Sequence, residues 1–356
     1  MRGGGEIAGD EGSVADLGEW GVIAALRARM PAGALTSVGI GDDAAVVGTP
    51  SGSVVAAVDL LIEGRHFRRD WSSAYDVGVK AAARSLADIA AMGAVNTALL
   101  VALATPGTSP ARWATDLAEG LAAEATRAGA GIVGGDTARA DSVTLSVTAL
   151  GDLEGRRPVL RSGARPGDVI AVAGPLGHSA AGLALLTAGA GAAADELVTA
   201  HLRPAPPYDA GPEAARLGAT AMIDVSDGLL ADVGHVAAAS GVRINLKTAS
   251  LAVGTALREA AARLSVPLSP SRTTAAYSPA TASAASVRTP SGDRSETAVA
   301  LEWVLTGGED HSLVAAFPAA VTLPARWRVI GEVRAGAGVT VDGVPHEGPA
   351  GWQHFR

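Results

Sequence analysis

Apolar positions recur at helical or strand spacing along most of the chain and predict a mixture of helices and strands. In the first half, spacing of three to four residues predicts helices at Leu17–Arg29, Ala74–Met92 and Pro110–Ala128. Short β-type runs predict strands at Ala44–Val47, Ser53–Val58, Thr97–Ala104, Gly131–Val133 and Ser142–Leu150. Gly93 is expected to end the second helix, because glycine adopts the left-handed C-cap conformation without strain.

The second half continues this mixture and predicts an α/β fold class. Helices are predicted from Ser179 and at Ala210–Leu217 and Leu229–Ser240. Strands are predicted at Val169–Ala173, Thr220–Ile223, Arg243–Leu246, Trp303–Leu305, Ser312–Phe317 and Trp327–Val333.

Composition changes along the chain suggest where domains begin and end. The run Arg156–Asp168 is rich in Arg, Pro and Gly, as domain junctions often are. We therefore expect a mobile tail at 1–15, an N-terminal domain at 16–155 and a C-terminal domain at 156–356. Residues 269–297 are mostly Ser, Thr, Ala, Pro and charged residues, so we expect a disordered insertion there.

Overall composition is typical of a globular protein of two domains. The chain has 356 residues, a net charge of −8 and no cysteine. The negative charge argues against broad nucleic-acid binding, and the lack of cysteine excludes disulfides, thiolate zinc sites and cysteine nucleophiles. Two uncharged stretches, Ile89–Ala111 and Val169–Ala194, are interrupted by Gly, Pro and polar residues, which favours soluble segments over membrane spans. The N-terminus lacks the order of a signal peptide, so a cytoplasmic location is expected.

The candidate chemistry lies in short aspartate motifs that follow β-type runs. They are Gly41-Asp42-Asp43, Val58-Asp59, Asp88 in an apolar helix, Gly134-Gly135-Asp136 and Asp224-Val225-Ser226-Asp227-Gly228. Taken singly, such a carboxylate is usually a turn residue or a helix cap, and Asp227 is a good N-cap candidate. Taken together, converging carboxylates would repel one another unless hard divalent cations such as Mg²⁺ bound them.

Two further features, a row of charged residues on one helix and a glycine-containing turn, also have ordinary structural explanations. Lys80, Arg84 and Asp88 fall at i, i+4 and i+8 on one helix, which would also suit an ion-pair ladder. The Gly174–Gly177 segment follows a strand and precedes a helix, as a phosphate-binding loop does, but it lacks the glycine spacing and the following acidic residue, so the turn that begins a helix is favoured. The chain carries no Walker A motif, protein-kinase glycine loop or convincing dinucleotide fingerprint.

In this order, the motifs resemble the thiamine-monophosphate kinase family of the aminoimidazole ribonucleotide synthetase-like superfamily. The segments that carry the resemblance are 39–45, 63–67, 86–94, 134–137, 224–229 and 306–310. The resemblance implies a two-domain PurM-like architecture, with an N-terminal mixed-sheet dimerisation domain and a C-terminal α/β sandwich domain. It also implies ATP-dependent, Mg²⁺-assisted phosphorylation of thiamine monophosphate by a homodimer.

Carried over residue by residue, the resemblance assigns three sets of ligands. ATP would contact Gly135, Asp136, Arg161 and Ser226, and thiamine monophosphate would contact His66, Glu309 and Trp352. Mg²⁺ would bind Asp42, Asp59, Asp88, Asp136, Asp224 and Asp227, the first four of which would be catalytic. The chain departs from the family at Ala57-Val58, where two Ser or Thr residues are usual, so a hydroxyl ligand is lost there that backbone carbonyls or water could replace.

Each assigned contact has a structural alternative. His66 could be a partly buried structural histidine, Glu309 could stand in a solvated turn, and Arg161 could pair across the domain junction. Trp352 could be a tail residue that packs on the nearest helix.

Two other functions stay open for the whole chain. One is a sister enzyme, namely aminoimidazole ribonucleotide synthetase, selenophosphate synthetase or the hydrogenase-maturation dehydratase, although the last two commonly rely on cysteine or selenocysteine. The other is a nucleotide-binding regulator that has lost catalysis, for which the Ala57-Val58 departure is the support.

Overall fold

A computed structural model describes residues 13–31, 33–38, 45–192, 195–265, 295–346, 348 and 350–352. The described chain divides into two compact units. The N-terminal unit extends to Arg157, and the C-terminal unit begins at Pro158 and also includes residues 91–93.

The N-terminal unit contains helices α1–α3 and strands β1–β6. Their bounds are α1 Val14–Arg27, β1 Thr36–Val38, β2 Val46–Val47, β3 Val55–Ile62, α2 Ala74–Ala91, β4 Val95–Thr105, α3 Ala111–Arg127, β5 Gly131–Arg139 and β6 Thr144–Asp152. Four of the strands form a mixed sheet in the order β3-β6-β4-β5, in which only β4 and β5 are parallel. β1 and β2 pair separately as an antiparallel ribbon.

Glycines allow α2 and α3 to pack closely. A Cβ atom at Gly78 would lie 2.2 Å from the carbonyl oxygen of Leu117, and one at Gly120 would lie 2.1 Å from the carbonyl oxygen of Tyr75. Only glycine permits this backbone approach. The close packing fixes α2, which carries Asp88, in the core of the unit.

The C-terminal unit contains helices α4–α9 and strands β7–β13. Their bounds are β7 Asp168–Ala173, α4 His178–Thr187, α5 Glu196–Leu202, α6 Ala210–Leu217, β8 Ala221–Asp224, α7 Leu229–Ser240, β9 Arg243–Leu246, α8 Thr255–Ser265, α9 Glu296–Thr306, β10 Leu313–Pro318, β11 Trp327–Arg334, β12 Gly338–Val341 and β13 Val344–Pro345. The strands form one sheet in the order β13-β12-β9-β11-β7-β10-β8, with β9 and β12 parallel. The ring of Phe317 is buried in this sheet and packs edge-on against Trp327, with ring centres 5.1 Å apart. Mixed sheets with packed helices confirm the predicted α/β class.

Several predicted boundaries need correction. The first helix begins at Val14 because Ser13 and Asp16 form a capping box there, so Val14 and Ala15 do not belong to a mobile tail. Trp303–Leu305 is not a strand but the end of α9, which begins beside the Ser295 N-cap. Glu296 and Thr297 are therefore helical, and residues 269–294 of the predicted insertion lie outside the described residues.

Within the described residues, no helix is long and apolar enough to cross a membrane. The uncharged stretch Ile89–Ala111 holds the end of α2 and strand β4, and Val169–Ala194 holds β7 and α4. Each stretch is divided between a strand and a helix that belong to the folded units.

Candidate functional site

The residues 224–228, which we call the acidic loop, connect β8 to α7 in the C-terminal unit. The carboxylate of Asp232, in the first turn of α7, accepts hydrogen bonds from three successive amides of this loop. Its Oδ2 lies 3.0 Å from the nitrogen of Ser226, 3.1 Å from that of Asp227 and 3.0 Å from that of Gly228. One buried side chain therefore fixes the backbone from which two predicted ligand side chains project.

The acidic loop concentrates negative charge. Burial, reinforced by the neighbouring charges of Asp224 and Asp227, raises the pKa of Asp232 to about 7. The N-cap of α7 is Gly228 and not Asp227 as predicted, because Asp232 already satisfies the amides at this end of the helix. The side chain of Asp227 is thereby left for another role.

Backbone carbonyls of the acidic loop hold two segments that are far away in sequence. The amide of Glu309 donates to the carbonyl of Ser226 at 2.8 Å, and the amide of Trp352 donates to the carbonyl of Asp227 at 2.9 Å. Gly351 makes the second contact possible, because a Cβ atom there would lie 2.3 Å from the same carbonyl of Asp227. Half-buried Trp352 is therefore anchored beside the loop.

A second buried carboxylate, Asp310, occupies the start of α4. Asp310 accepts hydrogen bonds from the amides of Gly177, at 2.5 Å, and Ser179, at 2.9 Å. Burial raises its pKa to about 7, although these amide hydrogen bonds oppose the rise. The Gly174–Gly177 segment is thus the turn before α4. Because the Asp310 carboxylate already accepts hydrogen bonds from amides at the start of this helix, the segment is unlike a phosphate-binding loop.

The carboxylate of Glu309 lies next to a buried histidine. His201 Nδ1 is 3.0 Å from the hydroxyl oxygen of Ser179 and 3.7 Å from Oε2 of Glu309. Glu309 has a positive φ of 63°, which is uncommon for a residue with a side chain. Because its carboxylate is half-buried and lies beside His201, Glu309 is not a freely solvated turn residue.

In the N-terminal unit, Asp59 points toward helix α2. The hydroxyl of Ser85 lies 3.0 Å from Asp59 Oδ2, and the guanidinium of Arg84 lies 3.8 Å from Oδ1. Asp88 is half-buried one turn further along the same helix. Arg84 thus has a partner on strand β3, and the ion-pair ladder with Lys80 and Asp88 along the helix stays a prediction.

Asp136 lies on the other face of the same sheet. Across the sheet, Asp59 on β3 pairs with Val147 on β6, and Val147 pairs with Val101 on β4. Val101 pairs in turn with Gly135 on β5, so Gly135 shares the face of Asp59, and Asp136 is the next residue along β5. Because side chains alternate between the faces of a strand, Asp59 and Asp136 point in opposite directions. These two carboxylates therefore do not share one ion in the unit as described.

Asp136 borders a small concavity of about 200 Å³. Its other lining residues are Ala102, Leu103, Ala104, Ala138, Thr144 and Ser146. The carboxylate of Asp136 accepts a hydrogen bond from the amide of Thr137 at 2.8 Å and is exposed to solvent. It is therefore accessible to a ligand.

The other residues predicted for the site differ in their exposure to solvent. His66 is half-buried, and its Nδ1 accepts a hydrogen bond from the amide of Ile62 at 3.0 Å, which fixes the ring. Arg161 is exposed, and its carbonyl accepts a hydrogen bond from the hydroxyl of Ser240. Asp42 lies outside the described residues. Within the described ranges, no three His, Asp or Glu side chains are grouped closely enough to hold a metal ion.

Sequence reasoning did not single out Asp232, His201 or His311, which all support the site. His311 Nδ1 lies 3.0 Å from Oδ2 of Asp224. Asp232 could have been suspected, since an aspartate in the first turn of a helix suits the positive end of the helix dipole. His201 stands in a segment without a recognisable motif, whereas His311 directly follows the motif segment 306–310.

Two family models match most of the chain. The first, AIR synthase related protein, N-terminal domain, matches residues 41–153. The second, AIR synthase related protein, C-terminal domain, matches residues 165–343.

Full-length relatives and a solved structure are also similar. A thiamine-monophosphate kinase of Mycobacterium tuberculosis is 48% identical over 98% of this chain and 95% of the relative. One from Corynebacterium glutamicum is 36% identical over 97% of this chain and 96% of the relative. A structure named AaThiL complexed with AMPPCP and TMP superposes with a TM-score of 0.72 at 30% identity, covering 96% of this chain and 98% of that one.

Replacing Asp232 with alanine is expected to destabilise the C-terminal unit. Three amides, that of Gly228 buried and those of Ser226 and Asp227 partly buried, would lose their acceptor, while relief of repulsion from Asp224 and Asp227 would offset part of the loss. We expect a net cost of about 3 kcal/mol, since each unsatisfied buried group costs roughly 1–3 kcal/mol. That cost would lower the melting temperature by roughly 6–12 °C in a calorimetric scan.

The matched control is Asp141→Ala, which removes an exposed carboxylate and should leave the melting temperature nearly unchanged. If Asp232→Ala melted at or above the wild-type temperature, charge repulsion would outweigh the amide hydrogen bonds. Asp232 would then not be what holds the acidic loop.

Proposed function

We propose that this chain, which belongs to the thiamine-monophosphate kinase family of AIR synthase related proteins, transfers the γ-phosphoryl group of ATP to thiamine monophosphate. The products are ADP and thiamine diphosphate. The observation that carries the proposal is the acidic loop, whose backbone is hydrogen-bonded to both Glu309 and Trp352. These are the residues expected beside the acceptor, and they lie next to carboxylates suited to a cation that accompanies ATP.

Mg²⁺ is proposed as the metal, with Asp42, Asp59, Asp88, Asp136, Asp224 and Asp227 as ligands. The donors fit the ion, because Mg²⁺ prefers oxygen and commonly binds one or two carboxylates together with substrate phosphates. Asp224, Asp227 and Asp232 lie close together at the acidic loop, where burial and then the charges of Asp224 and Asp227 raise the pKa of Asp232, and this crowding of carboxylates supports a cation there. The opposite orientations of Asp59 and Asp136 favour several ions over one.

The nucleotide contacts are proposed at Gly135, Asp136, Arg161 and Ser226. Two features support them. Arg161 and Asp136 are exposed, and Asp136 borders the concavity. At Gly135, a Cβ atom would lie 1.9 Å from the carbonyl of Val101, so only glycine fits beside strand β4, and Gly135 itself is exposed.

The acceptor contacts are proposed at His66, Glu309 and Trp352. His66 has a fixed ring, and Glu309 is held by neighbouring groups. The indole of Trp352 offers a flat face for a cationic thiazolium or pyrimidine ring. The solved relative named with AMPPCP and TMP supports a site for a nucleotide analogue and a second ligand in this fold.

In this mechanism, the protein positions two substrates and stabilises charge. A phosphate acceptor is already ionised near neutral pH, so no strong general base is required. In the C-terminal unit, Glu309 and Trp352 orient the acceptor and Ser226 contacts the donor, and in the N-terminal unit Gly135 contacts the donor. The metal, when bound, neutralises charge on the phosphates during transfer.

A homodimer formed through the N-terminal unit is also proposed. One face of its four-stranded sheet exposes Val58, Leu60 and Leu100, with 64%, 53% and 37% of their surfaces accessible. Large apolar side chains exposed together on one sheet face often mark an interface. Within this proposal, residues 16–155 form the ATP-binding and dimerisation domain and residues 156–356 form the second domain. The absence of cysteine supports a cytoplasmic location.

The two alternatives are less well supported. A sister enzyme such as aminoimidazole ribonucleotide synthetase would share the two family models, but relatives along the full length are thiamine-monophosphate kinases. A regulator without catalysis would bind ATP and release no ADP. An assay of the purified protein with ATP, Mg²⁺ and thiamine monophosphate separates these cases, since only the proposed function yields both ADP and thiamine diphosphate.

Asp88→Asn and Asp136→Asn should each lower the turnover by about 10²- to 10³-fold or more, because each removes negative charge that binds the cation. Steady-state ADP release measures the effect, and circular dichroism confirms that the variants fold. The double variant should lose less than the product of the single losses if the carboxylates act together. Near-normal ADP release from the double variant at saturating Mg²⁺ would refute these ligand assignments, and Asp141→Asn serves as the control.

Trp352→Ala should raise the KM for thiamine monophosphate by about 2- to 30-fold, since a ring contact supplies roughly 0.5–2 kcal/mol. The KM for ATP should stay near normal, because the contact is remote from the transferred phosphate. Trp352→Phe keeps an aromatic face and should show a smaller rise. An unchanged acceptor KM would mean that Trp352 only packs, and equal rises for both substrates would indicate a disturbed acidic loop.

Val58→Asp should shift the protein from dimer to monomer, because a charge would be buried in the proposed interface. Light scattering coupled to size-exclusion chromatography measures the mass directly. Val344→Asp is the matched control, since Val344 is equally exposed but lies in the C-terminal unit. A dimer that survives Val58→Asp would rule out this sheet face as the interface.

A further inference from the structure

His311 is a buried histidine in an unusual backbone conformation. Only 2% of its surface is exposed, and its φ is 52°, a left-handed value that is uncommon for a bulky residue. The amide of His311 donates to the carbonyl of Val225 at 2.9 Å, and the amide of Val225 donates to the carbonyl of Ser312 at 2.8 Å. This backbone pairing fixes the histidine beside the acidic loop.

The imidazole faces a carboxylate that the proposed function assigns to the metal. Nδ1 of His311 lies 3.0 Å from Oδ2 of Asp224, which is itself only 3% exposed. An ionised carboxylate can only accept hydrogen bonds, so Nδ1 must be the protonated nitrogen. Among the described residues, Nε2 has no hydrogen-bond partner, so the contact with Asp224 is the polar function of this ring.

We propose that His311 is a positioning residue that orients Asp224 for the cation. The hydrogen bond to Oδ2 holds the carboxylate in one rotamer and leaves Oδ1 to bind Mg²⁺. This inference rests on the proposed role of Asp224 as a metal ligand. Carboxylates that bind metals commonly need such hydrogen-bonding partners.

The chemistry of the ion makes His311 itself a poor ligand. Mg²⁺ strongly prefers oxygen donors, whereas imidazole nitrogen suits zinc, copper, iron and nickel. Since backbone strain of this kind persists where the surroundings impose it, often at functional sites, the position of the ring is consistent with support for Asp224.

Two amide variants separate the position of the donor from its chemical type. In His311→Asn, the side-chain nitrogen comes near the Nδ1 position, and asparagine tolerates the left-handed backbone. In His311→Gln, the nitrogen lies one bond further out, near the Nε2 position. His346→Gln makes the same substitution at an exposed site and is the control.

The measurement is Mn²⁺ binding to the full-length protein with a non-hydrolysable ATP analogue, followed by the electron paramagnetic resonance signal of free Mn²⁺. We expect His311→Gln to raise the Kd for Mn²⁺ by about 10- to 100-fold. His311→Asn should stay within about threefold of the wild type, and His346→Gln should match it. Melting temperatures show whether each variant is folded, and the Asn variant keeps the test informative if Gln unfolds the protein.

Asp224→Asn separates the role of Asp224 as a metal ligand from the role of His311 as a positioning residue. If it weakens Mn²⁺ binding but folded His311→Gln does not, Asp224 is a ligand and the positioning role of His311 is wrong. Equal weakening by His311→Asn and His311→Gln would also overturn a role that depends on a donor at Nδ1. If Asp224→Asn leaves Mn²⁺ binding unchanged, the proposed ligand assignment fails, and the role of His311 fails with it.

Discussion

The acidic loop depends on one interaction, the acceptance of three successive amides by the buried carboxylate of Asp232. With its amides held from one side, the loop presents its carbonyls to other segments. Val225, Ser226 and Asp227 thus receive the amides of His311, Glu309 and Trp352. A single carboxylate organises a hydrogen-bond network that joins the loop to residues 83 to 125 positions further along the chain.

The same arrangement explains how the C-terminal unit accommodates buried carboxylates. Asp232 and Asp310 are both buried, and burial raises the pKa of each to about 7. Backbone amides compensate these carboxylates in both cases, at the starts of α7 and α4. Asp224 has a histidine as its partner, while Asp227 projects from a loop whose amides are already used. The buried carboxylates serve the backbone, and the loop carboxylates are the ones proposed as ligands of a cation.

Regular patterns were predicted well because they depend on local physics. The bounds of α6, α7 and β9 agree with the predicted ranges, since apolar periodicity and a following glycine mark the ends of α6 and α7. Trp303–Leu305 was misassigned because three apolar residues fit a strand as well as a helix. The Ser295 cap that begins α9 was hidden at the edge of a low-complexity stretch.

By itself, the sequence determined the α/β class, the aspartate motifs and the family that they resemble, because motif order and local periodicity are properties of the chain. Only the tertiary structure decided what each carboxylate does. Sheet register directs Asp59 and Asp136 to opposite faces, and packing assigns Asp310 to α4 and Asp232 to the acidic loop. These roles depend on burial and on hydrogen-bond partners distant in sequence, which no local pattern encodes.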